Sequence, residues 1–398
     1  MKKLNISYID FIPALSGLIG KIALTSSFAM VWAQELGITK TNFVLENVRA
    51  EVLIGSIITL IVSIMSVKIA PAGTLAPLII MIPVMSTYGV HPLVLGVLVG
   101  VLGILVIRTG LFKYLLDLAG TICKTSITLV FGISGIWMSL INLYRYFSRE
   151  KLSFWIIVLV LLSLYSIMLY VKKSWMIIPV AASVSFLIPQ LFDKSYRVIP
   201  QNLHLNLNPF YWWDTMWGIG FGLNGLTILK TIPFAFFVIL LWTIDTLSIQ
   251  TVRESNTTEE KEEQHDFVKS FYIVGIRNII GAFIGGAQTG SLWRSFLIPL
   301  YMMKRPFKNC TMILGILGII ASLTLLPIQI LSYTPLVWSV LLFGIFIPFT
   351  ITAGKNIINE KRFRMKVVIL LFAGIGMIIS PILTWIVSVF YEKMIKKK

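Results

Sequence analysis

Long apolar runs alternate with short polar breaks along almost the whole chain. Apolar stretches run over about 11–36, 51–67, 74–88, 91–109, 122–141, 154–171, 175–192, 229–252, 268–284, 289–303, 310–330, 333–351, 365–379 and 381–394. A helix needs about 20 apolar residues to span a bilayer, and several of these stretches fall short of that. Two short ones, 74–88 and 289–303, each follow a break built from Gly, Pro and small residues: Ala70-Pro71-Ala72-Gly73 and Gly285-Gly286-Ala287-Gln288. Irregular backbone at membrane depth is tolerated only where it is buried or lines a cavity. The breaks open the third and tenth stretches, the same place in each half of a seven-plus-seven arrangement. Paired interruptions of this kind point to a transporter site. The expectation is an all-α integral membrane protein of about 14 transmembrane segments. Residues 1–192 would form the first inverted repeat, 193–228 an external connection and 229–398 the second repeat, with no soluble domain.

Composition supports this reading: of 398 residues 57% are hydrophobic and 13% charged. Soluble domains carry about twice that charged fraction, so lipid is the expected solvent for much of the surface. The net charge of +17 could suggest nucleic acid, but basic residues collect in the cytoplasmic loops of polytopic proteins. With the amino terminus inside, Lys68, Arg108, Lys113, Lys172, Lys173, Arg253, Lys304, Arg305 and the lysine-rich tail fall on the inner side. Far fewer basic residues, among them Lys40, Arg49, Arg145 and Arg149, fall outside. The asymmetry predicts a multi-pass protein of the cell (inner) membrane with both termini cytoplasmic and no nucleic-acid partner. Cys123 and Cys310 form no disulfide framework, and the scattered histidines no metal set. No cofactor is expected, nor is enzyme chemistry, since the spans hold no nucleophile–base set, metal cluster or paired carboxylates.

Two polar segments interrupt the apolar pattern. The period-two run Asn202-Leu203-His204-Leu205-Asn206-Leu207 suggests a short strand. After it, Tyr211, Trp212, Trp213 and Trp217 suggest an interfacial aromatic belt. The acidic run in 253–266 reads as a solvated loop, because it lacks the alternating ligands and Gly of a calcium loop.

The tenth stretch carries the most chemistry. A short helix beginning near Thr289 would offer free N–H groups and the positive end of a dipole, which bind anions. Arg294 lies about a turn further on. An ionisable residue inside a span is by default a functional candidate. The third stretch offers a matching end, where Gly73 permits close backbone approach and Thr74 and Leu75 supply donors. The expected substrate-binding set is Phe28, Gly73, Thr74, Leu75, Thr289, Gly290, Ser291 and Arg294. Asp245, the only acid inside the eighth stretch, would balance Arg294 or bind a coupled proton or sodium ion. Arg277, inside the ninth stretch, receives no role.

The eighth to tenth stretches resemble the SulP sulfate-permease family of anion transporters. The similarity rests on Gly275, Asn278, Gly285-Gly286, Thr289-Gly290 and Arg294-Ser295, with one residue fewer just after the Gly pair. Asp245-Thr246-Leu247-Ser248 falls where that family has Glu-Ser-Leu-Leu, and Ala70-Pro71-Ala72-Gly73-Thr74 resembles its Gly-Pro-Thr-Gly break. The resemblance implies a core of segments one to four and eight to eleven moving against a gate of the others. Substrate would sit between the third and tenth half-helices, in a protein that could pair as a homodimer. The chain departs from the family in its missing STAS domain, in Ser270 where a Glu is usual, and in the missing Pro before Thr-Gly. Uracil and xanthine permeases share the implied fold, but usually carry a base-binding Glu where this chain has Arg294. The expected function is therefore secondary active transport of a small inorganic or organic anion. A nucleobase permease is the alternative, and a non-transporting membrane scaffold subunit a third reading.

Overall fold

A computed structural model describes residues 6–40, 42–66, 68–148, 150–192, 205–220, 224–256, 265–325, 327–329 and 335–396. After a 3-10 turn at Tyr8–Asp10, the helices run α1 Phe11–Glu35, α2 Phe43–Met65, α3 Ile82–Thr87, α4 Pro92–Arg108, α5 Leu111–Asp117, α6 Thr121–Tyr146, α7 Lys151–Tyr170, α8 Ile177–Phe192 and α9 Gly225–Asn256. They continue as α10 Phe267–Phe283, α11 Arg294–Met303, α12 Phe307–Thr324, α13 Pro335–Asn359, α14 Phe363–Ile378 and α15 Pro381–Lys396. A 3-10 segment, Ala76–Met81, leads into α3, and a π-helical turn, Tyr211–Met216, precedes α9. Apart from one isolated β-bridge, the described residues are helix and loop. The protein is an all-α, multi-pass membrane protein.

Each of the fourteen apolar stretches carries a helical segment. Among the described residues, 7 helices are long and apolar enough to cross a membrane: Tyr8–Glu35, Phe43–Met65, Thr121–Tyr146, Lys151–Tyr170, Gly225–Asn256, Phe307–Thr324 and Ser339–Asn359. The other stretches hold shorter helices. Ala76–Thr87 and Pro92–Arg108 meet at a bend of 117°. The outer faces are apolar, as a lipid solvent requires. On α7, Trp155, Ile156, Leu159 and Val160 are all exposed.

Small residues let the helices approach closely. On α4, Gly96 and Gly100 meet Ala282 and Gly275 of α10, and on α12 Gly315 and Gly318 meet Leu60 and Ser56 of α2. Gly-rich contacts of this kind are a usual basis of helix packing in lipid, where burial of apolar area drives little. One continuous apolar core joins α1, α2, α4 and α9–α12 to the inner faces of α6 and α13. A second cluster ties α6, α7, α8 and α13 together.

Two expectations about the polar segments fail or fall outside view. Of the proposed strand, Leu205–Leu207 are irregular and the remainder lies outside the described residues, as does 257–264 of the acidic run. The tryptophans do not form an interfacial belt. Trp212, Trp213 and Trp217 are buried. The Trp213 Nε1 donates to Ala282 O at 3.0 Å and Trp217 Nε1 to Gly285 O at 2.8 Å. Carbonyls at a helix C-terminus lack partners within the helix, and these indoles supply donors at the end of α10. A tryptophan serves either environment, so composition alone does not separate the two.

Candidate functional site

The two breaks cross each other inside the protein. Residues 70–75 and 289–293 are extended and run antiparallel, with Ala72 bridged to Leu292. The Gly73 N–H donates to Ser291 O at 2.6 Å, Leu75 N–H to Thr289 O at 2.9 Å and Trp293 N–H to Pro71 O at 3.2 Å. Gly73 is required here because a Cβ would overlap the Trp293 backbone. The close approach is thus of chain to chain. Trp242 Nε1 donates to Gly290 O at 2.9 Å, and Trp293 Nε1 to Gly17 O at 2.9 Å. These bonds fix the crossing to α9 and α1.

The helix following the second segment begins at Arg294, not near Thr289, because residues 289–293 are held extended by this pairing. The first segment enters its 3-10 helix at Ala76, with Pro77 in the opening turn. Of the four backbone donors that Thr74, Leu75, Gly290 and Ser291 bring to the two expected helix starts, three are used inside the protein. Leu75 and Ser291 donate across the crossing, and Gly290 N–H donates to Asn278 Oδ1 at 2.6 Å. Of the four, only the Thr74 N–H has no partner among the described residues.

Arg294, at the first position of α11, is 5% exposed and ion-paired through Nη2 to Asp245 of α9, itself 0% exposed. Ser291 Oγ donates to the other carboxylate oxygen. Arg294 Nε and Nη1 meet no acceptor among the described residues. The guanidinium instead lies 5.2 Å from the Phe131 ring centre, 5.8 Å from Phe346 and 5.9 Å from Phe349. Buried donors are nearly always satisfied in native proteins, so this half-satisfied guanidinium is the least expected feature of the interior.

A second buried network adjoins the crossing through Thr74 and Gln288. Arg277 of α10 is ion-paired to Glu51 of α2, both 1% exposed. Gln288 Nε2 donates to Glu51 Oε2 at 2.7 Å. Gln288 Oε1 accepts from Thr74 Oγ1 and, at 3.3 Å, from Thr25 Oγ1. Lys21 of α1 completes the chain: its Nζ donates to Thr74 Oγ1 at 3.4 Å and lies 5.4 Å from the Trp293 ring centre. Lys21 is 1% exposed, and no carboxylate lies within ion-pair distance of it among the described residues. The three cations Lys21, Arg277 and Arg294 thus face only two carboxylates, Glu51 and Asp245. Lys21 is the one of the three with no carboxylate beside it among the described residues.

Lys21 and Arg294 line the same small cavity, of about 10 Å³, with Thr74, Trp293, Ser295 and Phe346. That is about the space of one water. Of the expected substrate-binding residues, Thr74 and Arg294 line it. Gly73, Leu75, Thr289, Gly290 and Ser291 build the crossing behind it. Phe28 is buried in the core, two turns along α1 from Lys21, and does not line the cavity. Asp245 reaches the site through Arg294. Among the described residues no three His, Cys, Asp or Glu side chains converge as metal ligands.

The sequence reading missed Lys21, Gln288 and Glu51, the partner of Arg277. Lys21 was detectable by the rule that singled out Arg294, because it too sits within an apolar stretch. Glu51 was hidden by its place at the edge of one: α2 begins at Phe43, eight residues earlier.

Comparison with curated proteins finds no match. Residues 2–395 match a family described as protein of unknown function (DUF3360). The match covers nearly the whole length, and the chain belongs to that family.

Proposed function

We propose that the protein is a secondary transporter of a small anion, working by alternating access around the crossing of residues 70–75 and 289–293. One observation carries the reading. Two buried cations face one cavity, Lys21 without a carboxylate and Arg294 with donors unused. An uncompensated charge in a low-dielectric interior is costly. A protein that keeps one gains from an anion that arrives to neutralise it. A neutral nucleobase would leave the excess charge standing, and a scaffold subunit would have no use for it.

The cavity's position supports the moving parts. Its walls come from α1, α11 and the Thr74 segment on one side, and from Leu342, Ile345 and Phe346 of α13 on the other. In this reading α1–α4 and α9–α12 are the core, and α6–α8 and α13–α15 the gate. The fourteen segments form two inverted repeats with both termini cytoplasmic. The antiparallel crossing of the two breaks supports the repeat, and the basic-residue asymmetry supports the orientation. Asp245 holds Arg294 until an incoming anion competes for the guanidinium, and is the candidate for a coupled proton or sodium ion.

The reading is tested with purified protein in proteoliposomes, offered chloride, bicarbonate, sulfate, carboxylates and uracil. Uptake or counterflow of at least one anion is expected. Uptake of uracil with no anion, or of nothing, would reject it.

A further inference from the structure

The cavity at Lys21 adjoins a second one. Ala76, Leu342 and Phe346 line it and also line a neighbouring cavity of about 210 Å³. The larger space is walled by side chains such as Phe131, Met138, Phe237, Leu241 and Pro381, with the Ser134 hydroxyl as the one side-chain polar group that the described residues bring to its lining. Ile80, which also lines it, is half exposed.

Its chemistry is opposite to that of the ion cavity. A hydrated inorganic ion there would lose water and meet almost no donor, at high cost. An apolar body would gain by the same burial. An apolar cavity of about 150 Å³ takes up benzene, so the space here suits a single ring or a short branched chain. The charge balance adds a second constraint. With both ion pairs intact and Lys21 protonated as the anion arrives, one added negative charge neutralises the site, whereas two would leave a buried excess of negative charge.

From these observations we infer that the transported species is an amphiphilic organic monoanion. Its carboxylate-like or sulfonate-like head lies against Lys21 and the free donors of Arg294, where the one-water cavity widens to admit it, and its apolar body occupies the cavity between α6, α9 and α13. This rests on the anion reading above and narrows it to a substrate class. The alternative occupant of the apolar space is a lipid acyl chain.

Sulfonates test the inference, because they stay ionised and do not cross lipid as neutral acids. Binding to the full chain in nanodiscs is measured for methanesulfonate, benzenesulfonate, benzene-1,3-disulfonate, sulfate and chloride. Benzenesulfonate is expected to bind about tenfold or more tighter than methanesulfonate, on the scale of burying one ring. It should also bind tighter than the disulfonate and sulfate. Ser134→Phe, which fills the cavity, should weaken benzenesulfonate about tenfold and leave methanesulfonate within about twofold. Should that variant fail to fold, Phe237→Ala enlarges the same wall and should improve binding of naphthalenesulfonate. Equal affinities for the two monosulfonates, insensitive to both variants, would overturn the inference and leave the cavity to a lipid chain, with the anion reading intact. Preference for sulfate or the disulfonate would overturn the monoanion assignment alone. Binding of no anion at all would reject both this inference and the anion reading.

Discussion

Lys21→Met separates a functional cation from a structural one. Methionine keeps most of the length and apolar bulk of the side chain and removes the charge. In the protein the ammonium has a 3.4 Å bond to Thr74 and the face of Trp293, but no carboxylate. Burying an unpaired ion costs several kcal/mol even after relaxation, so its removal should leave the melting temperature unchanged or raised. Anion binding should respond the other way. At about 4 Å and an effective dielectric near 20, a charge pair gains about 4 kcal/mol before desolvation. The net value of a charged hydrogen bond is about 1.5–3 kcal/mol. The expected loss of affinity is therefore roughly 10–150-fold at 25 °C. Thermal melts in detergent and titration with the best-bound anion, on protein of equal purity, check both arms. A lower melting temperature together with unchanged anion affinity would refute the reasoning and make Lys21 a packing residue.

Three further outcomes follow from the same geometry. Glu51→Gln leaves Arg277 buried without its carboxylate and should destabilise by about 3–5 kcal/mol; the double variant Glu51→Leu/Arg277→Met should recover much of this, and thermal melts of the single and double variants measure the coupling. Gly73→Val drives a side chain into the Trp293 backbone and should cost about 1–3 kcal/mol or more, whereas Gly354→Ala, in a helix with open space around it, should stabilise by up to about 1 kcal/mol, both read as shifts in melting temperature. Outside the spans, burial pushes the His265 imidazole down to about 3. The unfolded chain takes up that proton near pH 6.5 while the folded chain does not, so stability should fall by up to about 1.4 kcal/mol per pH unit below pH 6.5. His265→Asn should flatten this part of the melting-temperature profile.

The helical segments were legible because their cause is simple: lipid demands long apolar runs, and every such run became a helix. The two breaks were legible because Pro71, Gly73, Gly285 and Gly286 cannot be mistaken for helix interior. What the breaks do was not. Five extended residues carry no period, and the pairing that holds 70–75 against 289–293 joins segments more than 200 residues apart. That pairing moved the start of α11 from Thr289 to Arg294 and used up donors expected to face a ligand. Arg294 was visible as a charge in an apolar run, and its balance by Asp245 was among the expectations. Its unused donors and aromatic surroundings depend on α6 and α13, which no local pattern places beside it. Lys21 shows the reverse case, a signal present in the sequence and overlooked beside a stronger one.

The central claim is that fixed positive charge at the crossing binds the transported ion. Arg294→Gln keeps hydrogen-bonding capacity and removes the charge, leaving Asp245 without its ion-pair partner. The decisive measurement is uptake of the best-transported anion into proteoliposomes holding equal amounts of wild-type and Arg294→Gln protein. The account predicts saturable uptake by the wild type and an apparent affinity weakened by about 1–3 kcal/mol in the variant, roughly 5–150-fold. Equal anion affinity in the two, or wild-type uptake confined to an uncharged solute, would contradict it.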